Sequence, residues 1–134
     1  MVENQRGRIT DFTELETWQV ARKLRTAIYQ VTKSFPAEEK FTLTSQMRRA
    51  AVSVTANIAE GYGRFSYQEN IQFLRQSRGS AYELRDHLTT ALDQGYISSE
   101  KYAELDELAK SVTRLLNGYI RTTKMRREAA KVAT

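Results

Sequence analysis

Apolar positions along the chain fall three, four and seven residues apart, the period of an α-helix with one buried face. The first run is Val20, Leu24, Ala27, Ile28, Val31 and Phe35. It predicts a helix from about Thr13 to Ser34. Asp11 and Thr13 both suit an N-cap, and Thr13 and Glu16 have the spacing of a capping box. Phe35-Pro36 ends the helix, because the residue before a proline is driven out of the α region. The second run, Leu43, Met47, Ala50, Val54 and Ile58, predicts a helix from Leu43 to Glu60 that stops at Gly61. Ser66, with Glu69 three residues on, caps a third helix from Tyr67 to Gln94, stopped by Gly95. Its stripe is Ile71, Leu74, Ala81, Leu84, Leu88 and Leu92. Ser98 or Ser99 caps the fourth, whose stripe is Tyr102, Leu105, Ala109, Val112, Leu116, Tyr119 and Thr123, with fraying expected beyond Arg127.

Four helices of this length joined by short turns predict an all-α chain folded as an antiparallel up-down-up-down four-helix bundle. Residues 1–134 are expected to form one domain, with an ordered core over about 11–126 and frayed termini. Helix two carries a further signal. Between Arg49 and Glu60 it has no charged residue. A helix without a strongly polar face is usually buried on more than one side. In a chain of 134 residues the second cover must come partly from another subunit, so a homo-oligomer is expected, with Val52 and Ala56 on the shared face.

Composition narrows the chemistry. Cysteine is absent, and His87 is the lone histidine, placed by the helical wheel opposite its core stripe. Thiol chemistry and disulfides are thereby excluded, and a zinc or iron site has little to work with. The acids Glu100, Glu104, Asp106 and Glu107 read as a solvated helix start lacking the inward Glu-x-x-His pairs of di-iron bundles. Gly61-Tyr62-Gly63 has neither a strand before it nor a Gly-Lys-Ser/Thr after it, so it reads as a cap and tight turn. No enzyme activity, cofactor or metal is expected. No apolar run approaches the ~20 residues of a membrane span, and the N-terminal stretch lacks an apolar signal core, which points to the cytoplasm.

Charge is distributed unevenly. The net charge is +5, and residues 114–134 alone carry six bases against one acid. Lys110, Arg114, Arg121 and Lys124 form a ridge on helix four that Arg126, Arg127 and Lys131 extend. Arg75, Arg78 and Arg85 align on helix three, with Tyr67 and Tyr82 on the same flank. On helix one, Leu15, Trp18 and Tyr29 share with Arg22 and Arg25 a face away from the core stripe. Cations replace counterions at phosphates and flat rings stack on unpaired bases, so this mixture points to nucleic acid. No recognition helix follows a sharp turn, so structured RNA is favoured over base-specific DNA readout. Two other readings stay open. Arg78 and Arg85 can pair with acids across the bundle, and Trp18 and Tyr29 can pack against a neighbouring subunit.

The stretch Leu43-Thr44-Ser45-Gln46-Met47-Arg48-Arg49-Ala50-Ala51-Val52-Ser53-Val54, with Asn57-Ile58-Ala59-Glu60-Gly61-Tyr62-Gly63-Arg64, closely resembles the four helix bundle protein family. Members of that family were first noted in intervening sequences of large-subunit ribosomal RNA genes. Phe12-Thr13-Glu14-Leu15-Glu16-Thr17-Trp18 and Ala81-Tyr82-Glu83-Leu84 add to the likeness, which spans about residues 11–125. Val54-Thr55-Ala56 departs from an Ile-Pro-Ser-like step in many relatives, a change expected to act locally. The resemblance implies a homopentameric ring with a basic surface. Related proteins accompany the reverse transcriptases of diversity-generating retroelements, binding enzyme and nucleic acid. It also marks Arg48, Arg49, Asn57, Glu60 and Gly61 as signature positions, read as an interhelical polar network, a cap and an intersubunit contact. A non-catalytic RNA-binding accessory protein is the leading expectation. A scaffold for a partner such as a reverse transcriptase is the alternative.

Overall fold

A computed structural model describes residues 8–133, which form four α-helices and two short 3-10 turns without a strand. The helices are α1 (Glu16–Thr32), α2 (Leu43–Tyr62), α3 (Tyr67–Asp93) and α4 (Ser99–Ala133). Each packs on the next in sequence and α4 returns against α1, which closes an antiparallel bundle around one core. Leu24, Ile28, Met47, Val54, Ile58, Leu74, Leu84, Leu88 and Leu116 are fully enclosed.

Local signals set several boundaries as the sequence predicts. The Ser66 hydroxyl accepts from the Glu69 amide at 3.0 Å, and the Ser98 hydroxyl from the Lys101 amide at 3.0 Å. Gly95 sits at φ +75, in the left-handed region where glycine is strain-free. Its amide donates to the Leu92 carbonyl at 3.0 Å and that of Tyr96 to the Ala91 carbonyl at 2.9 Å, the paired bonds of a Schellman stop.

Other boundaries differ. Thr13 begins no helix: Phe12–Glu14 form a 3-10 turn capped by Asp11, and α1 starts after Leu15 with no side-chain cap. The buried face of α1 is also rotated from the expected stripe. Leu15, Trp18, Ala21, Leu24 and Ile28 are buried, whereas Val20, Ala27 and Val31 are only partly covered. Trp18 explains the rotation. Its ring has the largest area to hide, it packs edge-on against Phe12 at 5.2 Å, and buried Thr32 satisfies its own hydroxyl on the Ile28 carbonyl at 2.7 Å. Leu15 and Trp18 therefore do not lie away from the core.

α2 does not stop at Gly61 but runs through it to Tyr62. The residue is needed for close approach. A Cβ there would stand 3.0 Å from Phe73 Cβ and 3.2 Å from the Asn70 carbonyl oxygen. Buried Asn70 donates from Nδ2 to the Gly61 carbonyl at 2.9 Å, so the two backbones touch at this seam. α4 continues as helix beyond Arg127 to Ala133, its end braced by Lys131 against Glu128 at 3.5 Å. His87 is half-buried and 3.0 Å from Glu83, not opposite the core. The extreme N-terminus, expected to fray, lies outside the described residues.

Candidate nucleic-acid interface

Two hydrogen bonds mark how α3 and α4 lie side by side. Arg78 Nη1 donates to Asn117 Oδ1 at 2.8 Å, and Arg127 Nη1 donates to Gln68 Oε1 at 2.7 Å. A step of ten residues back along α3 is thus a step of ten forward along α4, as antiparallel helices require. This register sets Arg75 against the Ile120–Arg121 turn and brings Lys124 beside the same groove.

The two stretches so joined contain no acid. Asn70 to Tyr82 holds Arg75 and Arg78, and Leu108 to Arg127 holds Lys110, Arg114, Arg121, Lys124, Arg126 and Arg127. Arg75 and Arg121 are exposed and Lys124 is partly so, and none of the three has an ion pair or hydrogen bond among the described residues. Arg78 spends its hydrogen bond on a neutral amide and keeps its full charge outward. Arg114 meets Glu107 at 3.0 Å, but both side chains are more than half exposed, and such a pair contributes ~0–1 kcal/mol. Arg127 is shared between Gln68 and Glu128, and Lys110 lies 3.6 Å from Asp106. Arg126 is half-buried and engaged by its neighbours.

Arg85 does not belong to this surface. Its Nε donates to Asp106 Oδ1 at 2.8 Å, with the carboxylate side chain 10% exposed. That hydrogen bond raises the Arg85 pKa above its ordinary value, against the opposing effect of burial. The cross-bundle ion pair, one of the two readings open for Arg85, is the one formed. Asp106 correspondingly leaves the solvated acidic group at the start of α4, because it is buried. Truncating Arg85 to Ala leaves that carboxylate with only Lys110. We expect a loss of about 2 kcal/mol in chemical denaturation, largely recovered in an Arg85→Met, Asp106→Leu double variant.

The expected interface residues divide. Trp18 is withdrawn, since the core buries it and Arg22 and Arg25 cover its ring at 5.5 and 6.0 Å. Arg48 ties α2 to α1, its Nε donating to Thr32 Oγ1 at 2.9 Å and its guanidinium standing 4.9 Å over the Tyr29 ring. Arg49 ties α2 to α3 through Glu83 at 2.8 Å. Of the uncharged stretch of α2, Ser53 turns to Ser80 of α3 at 2.8 Å. Val52 and Ala56 remain exposed. Asn117, Gln68 and Asp106 were not legible as partners, because pairing follows from the register between helices and not from any motif. Among the described residues no group of three or more His, Cys, Asp or Glu side chains is placed to hold a metal. No helix there is long and apolar enough to cross a membrane.

The four helices form an antiparallel all-α bundle, with Gly61 at the α2–α3 seam and basic side chains along the α3–α4 seam. The chain belongs to the 23S rRNA-intervening sequence protein family, whose model matches residues 13–118. Its fold is similar to that of a crystal structure from Bacteroides thetaiotaomicron, described as a protein of unknown function from the S23 ribosomal protein family. The TM-score is 0.73 at 24% identity, over 78% of this chain and 95% of the other. None of the curated proteins matches the chain.

Proposed function

We propose that this protein is a non-catalytic, homo-oligomeric accessory protein that binds nucleic acid, preferring RNA, through the α3–α4 groove. The observation that carries the reading is the meeting of two acid-free stretches with Arg75, Arg121 and Lys124 left without a counter-charge among the described residues. Like charges held together across a helix seam raise the local positive potential, which a polyanion relieves by releasing its own counterions. RNA is preferred because, among the described elements, no recognition helix is held by a sharp turn for reading a major groove.

Exposed Val52 and Ala56 on the uncharged stretch of α2 support self-association, and the family resemblance makes a pentamer the preferred state. Repeating the groove around a ring multiplies affinity without any new contact. The scaffold alternative keeps Tyr29, which is 38% exposed, but loses its main aromatic anchor with Trp18.

Mobility-shift assays on nuclease-treated protein, comparing a structured RNA with a duplex DNA of equal length, test the reading. Retardation of the RNA at lower protein concentration is expected, and no shift with either polymer would refute it. Light scattering should show a mass several times the 15.4 kDa protomer, and a protomer mass would remove the assembly.

A further inference from the structure

Tyr82 is unusual on this face. It is an aromatic side chain left 51% exposed on α3, at the end of the acid-free track. The Arg85 guanidinium lies 5.6 Å from its ring centroid, and Arg85 is itself fastened to Asp106 at 2.8 Å. One side of the ring therefore rests on a cation that cannot easily move, while the rest faces solvent. A ring held in this way loses little freedom when something stacks on it, which favours binding.

The surroundings define what stacks. Arg78 and Arg75 precede the ring by four and seven residues on the same helix, about 6 and 10 Å along its axis. The register marked by Arg78 and Asn117 puts Arg114 on the other side of the groove, opposite Tyr82. Asp86, one turn beyond the ring, closes the track at that end. The arrangement is a row of cations leading to a supported aromatic face. Cations alone serve duplex and single strand alike. A flat ring reaches a base only when that base is unpaired, because in a duplex both faces of each base are already covered by its neighbours.

We infer that the groove takes single-stranded nucleic acid in preference to duplex, with an unpaired base stacked on Tyr82 and the adjoining phosphates against Arg78, Arg75 and Arg114. This rests on the nucleic-acid reading above and specifies its ligand.

The test is fluorescence anisotropy with two probes, a labelled oligoadenylate of about 12 nucleotides and a blunt duplex RNA of the same length. Wild-type protein should bind the single strand more tightly. Tyr82→Leu should weaken single-strand binding about tenfold and duplex binding far less, while Tyr82→Trp should keep or improve the single-strand affinity. Circular dichroism melts of both variants establish that the bundle is intact. If Tyr82→Leu changes single-strand affinity by less than about twofold, or weakens both probes equally, the stacking inference falls and the basic groove stands. If the wild-type protein binds neither probe, the nucleic-acid reading itself falls.

Discussion

Replacing Arg75, Arg121 and Lys124 together by Glu is expected to abolish RNA binding while leaving the bundle folded. The three side chains carry charge along the α3–α4 seam and make no ion pair or hydrogen bond among the described residues, so their replacement breaks none there. Each cation at a phosphate contributes about 0.7 to the slope of log affinity on log salt for a single strand. At about 0.1 M salt that is roughly 0.7 decades per contact, so losing three costs about a hundredfold, and the new carboxylates add repulsion. The melting temperature should move little, since the three carboxylates repel one another as the three cations did and gain attraction to the cations that remain. Unchanged affinity with a folded variant would take the groove out of the account. A fall in affinity that tracks a fall in melting temperature would show that the groove is structural first.

The second large effect is on stability. Gly61→Leu should destabilise the protein by about 3 kcal/mol and lower its melting temperature by about 10 °C. Leucine is a far better helix former than glycine, which by propensity alone would stabilise a helical site by at most ~1 kcal/mol, and less this close to the end of α2. Sterics outweigh that gain. A Cβ at this position meets Phe73 Cβ at 3.0 Å and the Asn70 carbonyl at 3.2 Å, and neither is the loose end of a flexible side chain. α2 and α3 would have to part, which stretches the bond from Asn70 to the Gly61 carbonyl and strands a fully buried amide. Gly63→Ala is the control, since a Cβ there approaches nothing nearer than 3.6 Å. Equal effects from the two substitutions would mean that the seam is not closed by the glycine.

The four helices were legible from their apolar period, and at α3 the cap at Ser66 and the stop at Gly95 agreed with it. Errors fell where one residue had two physical uses. Gly61 read as a helix stop, but its missing side chain serves contact with α3, and nothing local tells these apart. Trp18 read as a surface anchor because the stripe through Val20, Ala27 and Val31 placed it away from the core, whereas the buried face of α1 includes Thr17 and Thr32. Thr32 is buried at little cost, since its hydroxyl donates to its own helix. At the candidate site the cations themselves were visible in the sequence. Which of them stay available was not. Arg78 and Arg85 sit seven residues apart on one stripe, yet Arg85 meets buried Asp106 and Arg78 meets neutral Asn117. That distinction depends on the offset between α3 and α4, which is set by core packing along the whole bundle.

The central claim is that phosphate contacts in the α3–α4 groove hold RNA, and its most direct test is the salt dependence of wild-type binding. With Arg75, Arg78, Arg114, Arg121 and Lys124 engaged, log affinity should fall with log salt at a slope of about −3.5 per groove occupied. A slope near zero, with affinity retained at high salt, would contradict the claim and place any RNA contact elsewhere on the protein.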